Sequence, residues 1–169
     1  MEKNRSLQFY ARKTQKDILE IREWFDEGKV CIGFRQYNNN ASSGSKVTGS
    51  VDFYLQVEEL DLLCHNILSG TLYKTLAAGK NVSPYYKGSK RGDKVYARTL
   101  AFSKSNRGVF ITACEGEGEI IGSGAVKPLY QLKDAPVKVS ISLTPEELKA
   151  FALQGKRACD YYYMHCFGK

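Results

Sequence analysis

Tyrosine and arginine stand two residues apart at two places in this chain, as Tyr10-Ala11-Arg12 and as Tyr96-Ala97-Arg98. On an extended strand, where successive side chains alternate between faces, that spacing sets ring and guanidinium beside each other on one face. The ring is a surface on which an unpaired base can stack, and the guanidinium is a fork of donors for phosphate oxygens. The chemistry this implies is single-stranded nucleic-acid binding, in which each stacked base contributes ~1–3 kcal/mol. Arg35 and Tyr37 fall outward in the same way if Val30, Ile32 and Phe34 are core. The strand through Tyr96 continues its large or basic face with Leu100, Phe102 and Lys104, followed by Arg107. Tyr85, Tyr86, Lys87, Lys90, Arg91 and Lys94 are placed to guide a strand along one edge. Period two identifies two faces without saying which is buried, so a second arrangement, with Tyr96, Leu100 and Phe102 as the core face, stands beside the first.

Other chemistries find less in the sequence. Glu115, Glu117 and Glu119 alternate with glycine on one extended segment, and three carboxylates could hold Mg²⁺ for phosphoryl chemistry. A metal-dependent nuclease, or another phosphoryl-processing enzyme, is therefore the alternative; the plainer reading of the segment is a soluble hairpin arm. His65 and His165 each adjoin a cysteine, Cys64 and Cys166, and adjacent residues chelate one zinc ion poorly. Gly122-Ser123-Gly124 is a turn without the residues of a phosphate-binding loop. The expectation is a non-enzymatic protein with no catalytic residues, metal or cofactor. An RNA-binding or protein-interaction domain is the second alternative, since discrimination of RNA rests on contacts to the 2′-hydroxyl that no motif here reveals.

Charge supports an anionic partner. The chain of 169 residues carries a formal net charge of +7 with a pI near 9.1, and a basic surface concentrates polyanions around it. The excess is uneven: residues 85–169 hold 14 Lys and Arg against 8 Asp and Glu, while residues 1–84 are nearly balanced. With 43% hydrophobic residues the chain can bury a core. No apolar run approaches the ~18 residues needed to cross a bilayer, and Met1 to Ser6 lacks the apolar stretch of a secretory signal. Five cysteines, an odd number without regular spacing, fit a reducing compartment. A cytoplasmic protein without membrane segments is expected.

The elements that must position these residues follow from periodicity. Alternation marks strands near 7–14, 18–25, 29–37 and 47–56, with Asp26-Glu27-Gly28-Lys29 as a hairpin turn. Leu60, Leu63, Cys64, Ile67 and Leu68 then form the stripe of an amphipathic helix. Strands near 94–104, 108–116, 125–132 and 137–143 follow, then a helix from about 145 that Thr144-Pro145-Glu146-Glu147 starts with a capping box. Each Tyr-Ala-Arg string is followed at nearly the same distance by Glu-Glu-Leu, at Glu58 and at Glu146. The fold class is therefore α+β: one domain of two tandem β-β-β-β-α pseudo-repeats, residues 1–80 and 95–169, joined by a basic linker at 81–94. A small, polar loop at 38–46 interrupts the first unit.

This doubled β-β-β-β-α pattern, carried by Tyr10-Ala11-Arg12 with Val51 to Leu60 and by Tyr96-Ala97-Arg98 with Val139 to Leu148, resembles the Whirly and positive-cofactor-four family of single-stranded DNA-binding proteins. The resemblance implies sheets that bind single strands and helices that mediate assembly into a homodimer or larger homo-oligomer. It also implies largely sequence-independent binding in replication, recombination, transcription or transfer of mobile DNA. Tyr161-Tyr162-Tyr163-Met164 would then close either the chain's own core or a subunit interface.

Overall fold

The computed structural model describes residues 6–38 and 46–168. Residues 39–45, the body of the polar loop, lie outside the described residues. A first antiparallel sheet has the order β1 (Gln8–Lys13), β2 (Asp17–Trp24), β3 (Lys29–Asn38) and β4 (Lys46–Gln56). A 3-10 turn over Phe25–Glu27 joins β2 to β3, and Gly28 takes the left-handed φ of 63° that the expected hairpin requires. Two helices follow, α1 (Val57–Leu68) and the short α2 (Thr71–Ala77). The second sheet contains β5 (Tyr85–Arg91), β6 (Lys94–Ser105), β7 (Gly108–Ile120) and β9 (Val137–Leu143), with the short β8 (Val126–Pro128) pairing the far end of β7. Helix α3 (Pro145–His165) closes the described chain.

Both sheets turn one face into a shared core. Leu19, Ile21, Ile32, Phe34, Phe53 and Leu55 come from the first sheet, and Leu100, Phe102, Ile111, Ala113 and Ile141 from the second. Leu60, Leu63 and Cys64 of α1 and Leu148, Phe151, Ala152 and Cys159 of α3 complete it. Each large side chain removed from water there contributes ~1.5–3 kcal/mol. Both long helices begin with a capping box, and the third helical residue of each is a glutamate, Glu59 or Glu147. Each of those carboxylates also binds a cation from the first strand of the other sheet: Lys87 of β5 reaches Glu59 at 2.7 Å, and Arg12 of β1 reaches Glu147 at 2.8 Å. The two halves are thus cross-tied at their helix starts.

Three expectations are corrected. The segment 81–94 is not a linker. Its residues Tyr85 to Arg91 form β5, paired with β6 from Tyr85↔Leu100 to Arg91↔Lys94 around a turn at Gly92. Of the expected strand at 125–132 only Val126–Pro128 is extended in a ladder. Finally, the two Tyr-Ala-Arg strings do not occupy equivalent places, since one lies on the first strand of its sheet and the other on the second strand of its sheet. The Glu-Glu-Leu strings do correspond, each in the first turn of a long helix.

The remainder of 121–136 covers the outer face of the second sheet. Ala97, Thr99, Ala101 and Cys114 are buried there although they point away from the core. Tyr130 donates a 3.0 Å hydrogen bond to the Ala97 carbonyl, and its hydroxyl lies 3.0 Å from Thr99 Oγ1. The fit requires glycine: a Cβ on Gly88 would sit 2.1 Å from Val126, and one on Gly116 would sit 2.6 Å from the Tyr130 ring.

Candidate nucleic-acid interface

Register decides where each expected contact residue points. In β6, Arg98, Leu100 and Phe102 share the face that pairs with Glu115, Ala113 and Ile111. Leu100 and Phe102 are buried in the core, so Phe102 is not an outward stacking platform. The small residues of the other face, rather than the large ones, lie beneath the covering segment. Tyr10 is corrected likewise. It stands opposite Ile21 on the inner face of the first sheet, and its ring meets Phe151 of α3 edge-on at 5.7 Å. Arg12 is fully engaged: Nε donates to Glu147, one terminal nitrogen to Asp17 at 2.9 Å, and the other to the Ser142 carbonyl. It fastens β1 to the start of α3 and has no outward fork for phosphate.

The remaining residues divide into separate regions. Arg35 lies on the outer face of the first sheet, where Asp52 binds it at 2.8 Å and Arg22 at 3.0 Å. Tyr37 is at the far end of β3, beside Val47. Lys104 and Arg107 are at the end of β6 and in the following turn, near α3. At ~3.3 Å per residue, Lys104 is roughly 30 Å along the strand from Lys94. The structure does bring together Lys87, Arg91, Tyr96 and Arg98, with Lys90 and Lys94 on the same exposed hairpin. Tyr85 packs on the core, whereas Tyr86 is exposed.

These residues meet others that sequence reasoning missed. At the corner where β4, the edge of the first sheet, approaches β5 and β6, a cleft of about 300 Å³ is lined by Trp24, Lys29, Tyr54, Gln56, Lys87 and Arg98. The Trp24 indole is 46% exposed and meets the Tyr54 ring edge-on at 5.4 Å. The Arg98 guanidinium lies over the Tyr54 ring, 5.8 Å from its centroid. Arg98 Nε also donates to Glu115 at 2.5 Å, Arg91 donates to the same carboxylate oxygen at 2.8 Å, and the Arg91 guanidinium covers the Tyr96 ring at 4.7 Å. Trp24, Tyr54, Arg98, Glu115, Arg91 and Tyr96 are therefore one continuous ladder of rings and cations across both sheets.

Electrostatics differ on the two sides of this ladder. At the β5–β6 hairpin, Lys90 and Lys94 are exposed and form no ion pair with a described residue, and of the two Lys94 shares the face of Tyr96 and Arg98. Beside Trp24, the Lys29 ammonium first, and then the indole N–H, hold the Glu27 carboxyl below its usual range. On the other side a cleft of about 660 Å³ carries Glu115, Glu117 and Asp134 between Tyr96 and Tyr130, a surface that repels phosphate. The three glutamates named for a nuclease do not converge: Glu115 is drawn to the two arginines and Glu119 pairs with Lys127 at 3.4 Å. Among the described residues no three His, Cys, Asp or Glu side chains are grouped to hold a metal ion.

The arrangement of elements matches solved structures. The structure of the plant transcriptional regulator PBF-2 superposes with a TM-score of 0.54 and 13% identity, over 95% of this chain and 84% of that one. The topology is Whirly-like. A second Whirly protein, WHY1 from Arabidopsis thaliana, matches with a TM-score of 0.48 and 11% identity over 97% of this chain and 95% of that chain. No family model matches the chain, and neither does any curated protein sequence. In this Whirly-like fold the ladder lies at the junction of the sheets, where residues of both can meet one extended ligand.

Proposed function

We propose that the chain is a non-enzymatic, largely sequence-independent single-stranded DNA-binding protein acting in replication, recombination, transcription or transfer of mobile DNA. The observation that carries this reading is the ladder from Trp24 to Tyr96, bordered by the basic edge strand β5. The exposed Trp24 ring and the half-buried Tyr54 and Tyr96 rings, backed by guanidiniums, suit unpaired bases of any identity, because every base has a π-face. Lysines also protect an edge strand from pairing with other chains, yet protection alone does not call for the aromatic rings beside them. The fold shared with a plant transcriptional regulator is in keeping with the reading.

Fluorescence anisotropy with dT, rU and duplex probes across a salt series tests it. Preferred binding of dT is expected, and with about six phosphates neutralised the slope of log affinity against log salt is near −4, from ~0.7 per phosphate on single strands. Binding that is flat in salt, or equal on duplex, would overturn the proposal, and preference for rU would move it to RNA. We further propose assembly as a homodimer or larger homo-oligomer through the helices, because Leu62 of α1, Leu153, Tyr163 and Met164 of α3, and Phe167 leave apolar surface exposed. A monomeric mass in light scattering at micromolar concentration would refute that part.

A further inference from the structure

Two arginines of the ladder spend their charge on one carboxylate. Glu115 is 16% exposed and binds both Arg98, 17% exposed, and Arg91, 50% exposed. Charge-assisted bonds from guanidinium to carboxylate are strong and directional, and they are the bonds that a phosphate would otherwise make. Each guanidinium lies at the same time against a tyrosine ring, Arg98 at Tyr54 and Arg91 at Tyr96. The carboxylate therefore takes the bonds that a phosphate would take, with each cation over a ring.

Resting on the proposed function, we infer that Glu115 is a positioning residue that satisfies both arginines internally, so that the ladder receives bases while the phosphates of the strand run outside it past Lys94, which shares the face of Tyr96 and Arg98. The acidic cleft on the opposite side favours the same polarity. Glu117 and Asp134 exclude phosphates from that flank, whereas Lys94, at the hairpin tip on the ladder face, has no ionic partner among the described residues.

Salt slopes on dT oligonucleotides test the inference, because they count phosphate contacts. Lys94→Gln should lower the slope by ~0.7, whereas Arg91→Gln should weaken dT binding with the slope unchanged. Glu115→Gln should release both guanidiniums to phosphates, steepening the slope by up to ~1.4 and raising the affinity for an abasic oligonucleotide. A slope lowered by ~0.7 in Arg91→Gln, or unchanged in Glu115→Gln, would show arginines already on the backbone and would overturn the inference. Arg91 is half exposed and its loss leaves Glu115 paired with Arg98, so that variant decides the question even if Glu115→Gln does not fold. No dT binding by the unaltered protein would instead remove the proposed function itself.

Discussion

Trp24 and Tyr54 carry the stacking surface, and their replacement isolates it from charge. Either Trp24→Ala or Tyr54→Ala is expected to weaken dT binding by about 1–3 kcal/mol with little change in salt slope, since a ring and not a cation is removed. Phe102→Leu should leave binding unchanged and reduce stability by up to ~1.5 kcal/mol, because that ring fills the core. Titration by anisotropy and urea denaturation separates the two effects. The face of Tyr54 is legible in sequence: Val51, Phe53 and Leu55 mark the inner side of β4, which assigns Tyr54 to the other. Its neighbour is not legible, because Trp24 reaches it only through the register of β2, β3 and β4. Arg12 illustrates the opposite limit. Its type suits phosphate, but Asp17 nearby and Glu147 and Ser142 from a distant segment of the chain occupy it.

At the level of elements, the helix starts were readable and the first strand of the second sheet was not. Thr144-Pro145-Glu146-Glu147 is a local signal, and the structure forms it: the Glu147 N–H donates to Thr144 Oγ1 at 3.2 Å and the Thr144 N–H to Glu147 Oε2 at 2.9 Å. Strand β5 has no such signal, because an edge strand with lysines on it is held by backbone bonds to β6 and buries little apolar surface. Thr144→Ala should cost about 1 kcal/mol of stability through the lost cap. Burial raises the Glu147 carboxyl, but its bonds to Arg12 and to the Thr144 N–H outweigh this and hold it below its ordinary value. A carboxyl lowered on folding stabilises above its unfolded value and loses that contribution as pH falls through the folded value. The stability difference between wild type and Glu147→Gln should therefore be constant near neutral pH and shrink as pH falls below 4.5, measured by thermal unfolding.

Over the whole molecule, the two halves match in element order and differ at the corner that matters. By strand order and register, Trp24 and Tyr54 of the first half correspond to Ser105 and Ser142 of the second, whose hydroxyls lie 3.1 Å apart. The Whirly-like topology therefore builds two similar corners, and only one is furnished with rings. Sequence comparison of the halves through Tyr-Ala-Arg could not reveal this, because that string is out of register with the fold. What joins the halves is the shared core and the crossed ties of Lys87 to Glu59 and Arg12 to Glu147. Such a core should unfold as one unit, and each half holds a reporter. Trp24, the single tryptophan, reports the first sheet by fluorescence. Cys114 reports the second: it is buried beneath the covering segment, and burial raises its thiol pKa, so alkylation requires opening. In urea, the fluorescence transition and the onset of pulsed Cys114 alkylation should share one midpoint. Alkylation of Cys114 at a lower midpoint would show that the covering segment or its sheet opens independently of the first sheet, and the molecule would then not unfold as one unit.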